Sequence, residues 1–333
     1  MDKDRSHKHP VTPPTRRKAS VNRKKKLFLT VSGFLFVTIL ITFYLYVAVL
    51  DLTGTYIETE QYPYSYAYNQ ERPVKYFGIV SRYPPHIIYQ GYQPLMNYLS
   101  NQTEYEFRLK LSISYDDTME QLASGEIDAA FLGSYIYASS RHEHNLKSIL
   151  KPLNENREAY RRSVFITRKN STIHGIADLR GKKLALASRR SLSGNWVPLY
   201  TLSMHNLAPE DLAAVTNYAY HHTVVYKVLQ GEYDAGAVRD RVAMEFKESD
   251  IRIFHSSAEI PTSPVVVSKS QDPYVVDQIR NALLNLDMQA ILADRAYQNW
   301  DLDLSFGFTE SRTEDYDFIQ NIMDSLGEME LEP

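Results

Sequence analysis

The sequence contains no cysteine among its 333 residues. This absence excludes a disulfide framework, a thiolate metal site, a cysteine nucleophile and a lipid anchor on cysteine. The G-x-S-x-G, P-loop and H-E-x-x-H motifs, which mark large classes of enzymes, are absent as well. We therefore predict a protein that is not an enzyme and has no cofactor. The histidine pairs His142/His144 and His221/His222 leave a metal enzyme as an alternative.

Positive charge is concentrated at the N-terminus and scarce elsewhere. Residues 1–26 hold ten Lys and Arg against two Asp, about +8, whereas the whole chain has a formal net charge of -3. The remaining residues therefore carry a charge of about -11. An acidic chain of this kind argues against nucleic acid as a partner.

Only one long hydrophobic run occurs in the chain. Residues 27–50 are 24 uncharged residues between the basic cluster Arg23–Lys26 and Asp51. The run is long enough to span a bilayer, and Ala48-Val49-Leu50 does not match the cleavage site of a secretory signal. We predict a single-pass helix in the inner (plasma) membrane, with residues 1–26 as a cytoplasmic tail and the rest outside the cytoplasm. A cleaved signal peptide is the alternative.

The pattern changes after residue 73. Residues 51–73 are rich in tyrosine and show no helical or strand period, which predicts a stalk, unless the tyrosines pack on the globular part. From Val74 onward, short apolar strands alternate with amphipathic helices. This alternation predicts an α/β fold with a mostly parallel sheet covered by helices on both faces.

A short motif, G-E-x-D-A, occurs twice, at Gly125–Ala129 and Gly231–Ala235. In each copy the glycine follows an amphipathic helix, which it can end in the left-handed conformation, and an apolar strand comes next. The copies lie 106 residues apart, too far for a solenoid repeat. The motif favours two similarly built lobes, although a common helix-to-strand turn would give the same match.

The stretch 181–198 combines features of an anion site. Lys183–Ala187 is predicted to be a buried strand, residues 188–193 a polar turn, and Val197–Leu207 a helix with Pro198 in its first turn. A helix N-terminus suits an anion because its first N–H groups have no intrahelical partner and its dipole is positive there. An ordinary serine N-cap is the alternative.

Several motifs resemble, in their order and spacing, those of one known family. They are Tyr76–Ile79, Tyr92–Leu95 with Tyr98-Leu99, Ser114-Tyr115, Gly125–Gly133, Tyr160 with Ser163–Ile166, Ala177–Lys183, Ser191–Gly194 and His221. Over about residues 75–305 the chain resembles the extracytoplasmic substrate-binding proteins of phosphonate, phosphite and phosphate ABC transporters.

This resemblance implies a two-lobed periplasmic-binding-protein fold of type II that closes on its ligand. Lobe 1 would comprise residues 74–162 plus 260–333 and lobe 2 residues 163–259, with hinge segments near Ser163–Arg168 and Ile253–Val267. The implied ligand is a small oxyanion (phosphate, phosphite or phosphonate), and the implied partner is an ABC transporter permease. A membrane-tethered sensor or accessory protein with a sensor kinase as partner is the alternative. Ferric-ion binding by tyrosines and histidine is a further alternative.

The resemblance also implies the ligand-binding residues. The segment 191–194 would contribute Ser191, Leu192, Ser193 and Gly194, and Leu192 stands where the family usually has threonine. His221, Tyr115 and Tyr160 would face the oxyanion. Ser134 is predicted from its own position, because ligands bind at the carboxyl ends of sheet strands.

The resemblance further implies that Arg241 and Ser263 correspond to positions where aminoalkylphosphonate binders of this family have carboxylates for the ligand's ammonium group. A cation at such a position would repel ammonium. We therefore expect a small anion without a positive tail, or one whose second negative group pairs with Arg241. An Arg241 side chain that faces solvent is the alternative.

Overall fold

The computed structural model describes residues 28–44, 72–287 and 300–327. Two compact units make up the chain, Met1–Ala67 and Tyr68–Pro333. In the first unit, residues 28–44 form helix α1, whose large apolar side chains are exposed. Among the described residues, no helix is both long enough and apolar enough to cross a membrane. The remainder of the predicted span 27–50, the tail and most of the predicted stalk lie outside the described residues.

The second unit alternates short strands with helices, which confirms the predicted α/β class. Its strands in the described ranges are β1 (Val74–Ile79), β2 (Glu106–Leu111), β3 (Ala129–Phe131), β4 (Leu146–Pro152), β5 (Tyr160–Arg161), β6 (Ser163–Arg168), β7 (Lys183–Leu186), β8 (Ala214–Asn217), β9 (Ala235–Arg239), β10 (Ile251–Ser256), β11 (Ile260–Pro261), β12 (Val265–Ser268) and β13 (Phe308–Glu310). Its helices there are α2 (Pro85–Gln102), α3 (Tyr115–Ala123), α4 (Ser134–Ser140), α5 (Val197–Met204), α6 (His221–Leu229), α7 (Asp240–Glu245), α8 (Pro273–Leu284) and α9 (Asp317–Gly327).

The strands form two main sheets, each the base of one lobe. The sheet of lobe 1 has the order β13-β4-β12-β3-β1-β2, and the sheet of lobe 2 has the order β10-β6-β9-β7-β8. This two-lobed arrangement agrees with the fold that the resemblance implies. The exact lobe bounds, 74–162 plus 260–333 and 163–259, stay a prediction.

The prediction of mostly parallel sheets is wrong. β1 runs parallel to β2 and β3, and β7 runs parallel to β8 and β9. The strands that follow each passage between the lobes, β6 and β12, instead pair antiparallel with their neighbours. Parallel pairing therefore holds within the strand–helix–strand units, and the returning chain adds antiparallel strands.

A separate two-stranded ribbon lies where the chain passes between the lobes. β5 pairs antiparallel with β11, and each of these strands comes between a strand of one main sheet and a strand of the other. The chain therefore first passes between the lobes at Tyr160–Arg161. Ser163–Arg168 is the buried strand β6 of lobe 2, which is hydrogen-bonded to β9 and β10, and its role as a hinge segment stays a prediction.

The two G-E-x-D-A motifs occupy equivalent places in the two lobes. Gly125 and Gly231 have φ values of +76° and +77°, which confirms the left-handed helix ends. The carboxylate of Asp128 accepts a hydrogen bond from the N–H of Tyr76 at 2.8 Å, and that of Asp234 accepts one from the N–H of Lys183 at 2.8 Å. The aspartate therefore holds the start of β1 beside β3 in lobe 1, and the start of β7 beside β9 in lobe 2.

The core of each lobe lies between its sheet and its helices. In lobe 1, Phe77 and Phe131 place their rings 5.5 Å apart against Tyr92 of α2. In lobe 2, Gly236 lets α6 approach closely, since a Cβ there would lie 2.6 Å from Val224. This packing holds the carboxyl ends of the strands in place.

Candidate functional site

Segments that follow five parallel strands converge on one cavity between the lobes. The carboxyl ends of β1, β3, β7, β8 and β9 lead to Arg82, Ser134, Ser191, His221 and Arg239 respectively. All five residues line a cavity of about 30 Å³. This edge is where open α/β sheets bind ligands.

The serine loop, residues 188–196, begins where β7 ends. Ser191 precedes a single π-type helical turn, Leu192–Trp196, that continues directly into α5. The helical segment therefore starts one turn earlier than the predicted Val197. The Ser191 hydroxyl oxygen accepts hydrogen bonds from the N–H of Gly194 at 3.0 Å and from Nε2 of His221 at 3.2 Å.

His221 is a neutral ring that orients the serine hydroxyl. Its Nδ1 accepts a hydrogen bond from the N–H of Arg239 at 3.2 Å, so the ring proton is on Nε2, which donates to Ser191. Burial, together with the charges of Arg239 and Arg161, lowers the pKa of His221 well below its usual 6.5. The ring therefore stays uncharged near neutral pH.

These contacts make Ser191 a hydrogen-bond donor toward the cavity. Both lone pairs of its oxygen are occupied by protein donors, so the hydroxyl hydrogen is the part that remains for a ligand. The N–H groups of Leu192 and Ser193 lie at the helix start, where they have no intrahelical partner. The loop thus presents neutral donors to the cavity.

Gly194 allows the loop to pack this tightly. A Cβ at this position would lie 2.4 Å from Cβ of Ala187 and 2.6 Å from Cε1 of His221. The carbonyl of Gly194 also accepts a hydrogen bond from the N–H of Ala187 at 2.9 Å. Glycine is therefore required for contact with both the end of β7 and the histidine.

Arg161 brings a positive charge to the other side of the cavity. Its guanidinium donates to the hydroxyl oxygens of Ser263 and Ser134, each at 3.0 Å, and its Nε is buried. Among the described residues it forms no ion pair with a carboxylate. Burial and the nearby Arg239 lower the pKa of Arg161 to about 10, so the group remains charged at neutral pH. Arg161 is partly buried, and the carboxylates that act on it electrostatically, Asp303 and Asp240, lie beyond ion-pair distance, which favours an anion in the cavity.

Two further buried arginines line the cavity and share one carboxylate. Asp303 lies 3.1 Å from Nη1 of Arg82 and 2.5 Å from Nη1 of Arg239. Burial alone would raise the pKa of Asp303, but Arg239 and Arg82 outweigh this effect and hold it well below its usual value. Arg239 also donates to the hydroxyl of Tyr83 at 2.7 Å, which joins lobe 2 to lobe 1. Arg82, Arg161 and Arg239 are called the arginine cluster below.

The structure brings together most of the residues predicted for ligand binding. Gly194 packs against Ala187 and His221 and does not itself line the cavity. Tyr115 is buried at the start of α3, and this burial raises the pKa of its phenol to about 12. The predicted residues that line the cavity are Tyr115, Ser134, Ser191, Leu192, Ser193, His221 and Ser263. Their contact with a ligand stays a prediction.

Tyr160 does not line the cavity, contrary to the prediction. Successive residues of a strand point to opposite faces, so the inward position on β5 belongs to Arg161. The Tyr160 hydroxyl bonds to Glu158, which raises the pKa of the phenol to about 12.

Arg241 also lies outside this cavity. It forms ion pairs at 3.5 Å with both Glu245 and Asp303, so it is not simply a solvent-facing side chain either. It lines a second cavity of about 340 Å³ with His222, whose ring bonds to Glu245 at 2.7 Å. Among the described residues there is no group of three or more His, Asp or Glu that could hold a metal ion.

Sequence reasoning missed the arginine cluster. Arg82 lies just after β1 and Arg239 ends β9, so the strand-end rule that identified Ser134 would have identified both. Arg161 has no such signal, because it lies on a strand of two residues.

Solved structures show the same fold. The chain is similar to PhnD1 from Prochlorococcus marinus in complex with methylphosphonate, with a TM-score of 0.68, 18% identity, and coverage of 77% of this chain and 99% of that one. It is also similar to a binding protein component of an ABC phosphonate transporter from Pseudomonas aeruginosa, with a TM-score of 0.66, 17% identity, and coverage of 76% and 86%. The periplasmic aliphatic sulphonate binding protein SsuA from Escherichia coli has a TM-score of 0.56, 15% identity, and coverage of 78% and 89%.

At these identities the solved structures establish the fold alone, and the family is shown by the sequence. The family described as "ABC transporter, phosphonate, periplasmic substrate-binding protein" matches residues 77–316, most of the chain. Its members bind solutes for transport and are not enzymes. The chain therefore belongs to the periplasmic substrate-binding proteins of phosphonate ABC transporters.

Proposed function

We propose that this protein captures a small oxyanion (phosphate, phosphite or a simple phosphonate) between its lobes and delivers it to an ABC transporter permease. The observation that carries the proposal is the Ser191 hydroxyl, fixed as a donor, in the same cavity as the Arg161 guanidinium, which has no carboxylate within ion-pair distance among the described residues. Hydrogen bonds between such donors and an ionised oxygen are among the strongest that proteins make. The small cavity volume suits a compact anion.

The arrangement of charges also supports a ligand without an ammonium group. The sequence predicts that Arg241 repels an ammonium group on the ligand. In this cavity, however, the cation beside Ser263 is Arg161. None of the described residues that line the cavity is an Asp or Glu that could hold an ammonium group. Methylphosphonate, the ligand in the PhnD1 structure, is an anion of this simple kind.

We also propose that residues 27–50 anchor the binding domain outside the cytoplasm, with residues 1–26 inside. The support is the 24-residue uncharged run, its basic flank, and the exposed apolar side chains of α1. Cell fractionation should find the full 38.4 kDa chain in the membrane. A soluble form that begins near Asp51 would instead identify a cleaved signal peptide.

A membrane-tethered sensor is the second candidate function, favoured by the proposed anchor and its basic cytoplasmic tail. Both functions use the same oxyanion site and differ in the membrane partner. Crosslinking in intact cells distinguishes them, because transport requires contact with a permease and sensing requires contact with a kinase.

The oxyanion site can be tested with Ser191→Ala in the full chain in mild detergent. Isothermal titration with phosphate, phosphite and methylphosphonate should show binding weakened by about 1.5–3 kcal/mol, the usual contribution of a hydrogen bond to a charged group. Ser188→Ala, in the same loop but outside the cavity lining, is the matched control and should bind as wild type does. Equal affinities for wild type and Ser191→Ala would place the ligand elsewhere.

A further inference from the structure

Asp303 lies on a short turn that is anchored to lobe 1. Leu302–Leu304 is a single helical turn, and the buried side chain of Leu304 belongs to the core of lobe 1. The N–H of Asp303 donates to the carboxylate of Asp301 at 2.8 Å, and the N–H of Asp301 donates to the carbonyl of Gly91 in α2 at 2.9 Å. These bonds tie the backbone of Asp303 to lobe 1.

The Asp303 carboxylate reaches residues of lobe 2. Its Oδ2 lies 2.5 Å from Nη1 of Arg239, at the end of β9, and its Oδ1 lies 3.5 Å from Nη1 of Arg241, in α7. Oδ2 also lies 3.1 Å from Nη1 of Arg82 in lobe 1. In the described part of the chain, two of the three ion pairs of Asp303 therefore join one lobe to the other.

The contact between Asp303 and Arg239 is shielded from water. The two side chains are 15% and 6% exposed, and Arg239 also donates to the hydroxyl of Tyr83 in lobe 1 at 2.7 Å. Asp116 and Arg190 form another ion pair between the lobes, but their side chains are 38% and 47% exposed. Exposed ion pairs contribute little to stability, whereas removal of one partner from a buried pair is costly. Asp303 therefore makes the stronger charged contact between the lobes.

The same carboxylate offsets repulsion among the arginines. Burial, and after it the charges of Arg239 and Arg82, lower the pKa of Arg161, so these guanidinium groups repel one another. Asp301 also acts electrostatically on Arg82 and Arg239, but burial raises its pKa. Among the described residues, Asp303 is the carboxylate within ion-pair distance of both arginines. It therefore attracts Arg239 of lobe 2 toward a positively charged part of lobe 1.

We propose that Asp303, assisted by the Tyr83 hydroxyl, forms a latch that holds Arg239 of lobe 2 against lobe 1 and slows the release of the bound oxyanion. These contacts lie outside the ribbon of β5 and β11, so they must break when the lobes separate about that ribbon. Asp303 does not line the cavity, and it is therefore a positioning residue that acts through Arg239. This inference rests on the proposed function and names residues that control ligand release.

A latch and a simple counter-charge predict opposite effects of Asp303→Asn. If the carboxylate only reduced the positive charge near the cavity, its removal would strengthen the attraction of an oxyanion and raise the affinity. If it latches the lobes, its removal lowers the population of the closed state, and the apparent affinity falls with that population. The sign of the change in affinity therefore separates the two roles.

Stopped-flow fluorescence measures the release of methylphosphonate from the full chain in mild detergent. Trp196 of the serine loop stacks on Tyr135 of lobe 1 with ring centroids 4.5 Å apart, so its emission should respond when the lobes separate. Asp303→Asn should release methylphosphonate about tenfold faster, because loss of one partner of a buried charge pair acts mainly on dissociation. Asp315→Asn, which removes an ion pair with Lys151 inside lobe 1, is the matched control and should keep the wild-type rate.

Isothermal titration of the same proteins with methylphosphonate gives the affinities. Asp303→Asn should bind more weakly than wild type, and a rate of release that is unchanged or slower, or a tighter binding, would overturn the inference. If Asp303→Asn does not fold, Tyr83→Phe decides, because it removes the other lobe 1 bond to Arg239 without a change of charge. That variant should also release its ligand faster, and a wild-type rate would overturn the inference. Failure of the wild-type protein to bind any oxyanion would instead contradict the proposed function.

Spin labels measure the separation of the lobes directly. Because the chain contains no cysteine, Tyr89→Cys with Met244→Cys places labels at these two positions alone. Both residues are exposed, on α2 of lobe 1 and α7 of lobe 2. Without added ligand, Asp303→Asn should show longer distances between the labels than the otherwise wild-type protein, and Asp315→Asn should not. Equal distances with and without Asp303→Asn would overturn the inference.

Discussion

The serine loop and the arginine cluster line the same cavity but are built by opposite means. Ser191 and Gly194 are three residues apart, and the loop forms at one strand end from neutral donors. Arg161 and Ser263 are 102 residues apart, and Arg239 and Tyr83 are 156 residues apart. The neutral half is therefore local in sequence, whereas the charged half requires the folded chain.

The serine loop and the arginine cluster therefore contribute to ligand binding in different ways. The loop sets geometry, because each of its donors is fixed by a backbone or histidine contact. The arginine cluster sets electrostatic attraction, which is strong where water is largely excluded. Changes in the charged half should therefore affect oxyanion affinity more than changes in the neutral half.

Removal of the Arg161 charge should give the largest effect. Arg161→Gln should weaken oxyanion binding by about 2–5 kcal/mol, the range for loss of one partner of a buried charge contact. The adjacent Arg162 bonds instead to Ser257 and Glu259 outside the cavity lining, so Arg162→Gln is the matched control. Titration calorimetry of both variants tests the comparison, and equal losses would show that charge at position 161 has no special role.

A change that disturbs the loop's packing should have a smaller effect. Gly194→Ala introduces a Cβ into space held by Ala187 and His221, and such overpacking costs about 1–3 kcal/mol of unfolding free energy. Gly175→Ala is the control, because no atom lies within 4 Å of its added Cβ. Urea unfolding measures both variants. A Gly194→Ala protein as stable as the control would show that the loop can shift to make room.

The smallest effect concerns the neutral histidine. In the native state the pKa of His221 is lowered well below 6.5, whereas in the unfolded state the ring takes up a proton as the pH falls through about 6.5. The unfolded state then binds more protons, so the unfolding free energy should fall with decreasing pH, by up to about 1.4 kcal/mol per unit from this residue. Above about pH 6.5, His221 does not contribute to the pH dependence of the unfolding free energy.

The matched measurement compares wild type with His221→Gln and His142→Gln by urea unfolding at several pH values below 6.5. His221→Gln should show a shallower pH dependence, and the exposed His142→Gln should keep the wild-type slope. His255, whose pKa burial also lowers, contributes equally to all three proteins. Identical slopes for wild type and His221→Gln would indicate that the ring is protonated in the native state.

The sequence by itself determined the elements whose signals are local. Strand β7 begins at the predicted Lys183 and ends one residue before the predicted Ala187, because apolar periodicity and turn residues act over a few neighbours. The G-E-x-D-A copies indicated two similarly built lobes, and the loop around Ser191 indicated an anion site. Order and spacing of motifs indicated the family.

Only the tertiary structure decided which residues face one another across the cavity. Whether neighbouring strands run parallel or antiparallel depends on how the chain returns from one lobe to the other. The sequence alone therefore did not predict the antiparallel strands. Tyr160 and Arg161 are neighbours in sequence, and the alternation of a two-residue strand put Arg161 into the cavity. The pairing of Asp303 with Arg82 and Arg239 joins segments far apart in sequence, whereas Arg161 forms no ion pair with any carboxylate in the described part of the chain. Electrostatic interactions act through space rather than along the chain, so this charge balance exists only once the two lobes are folded.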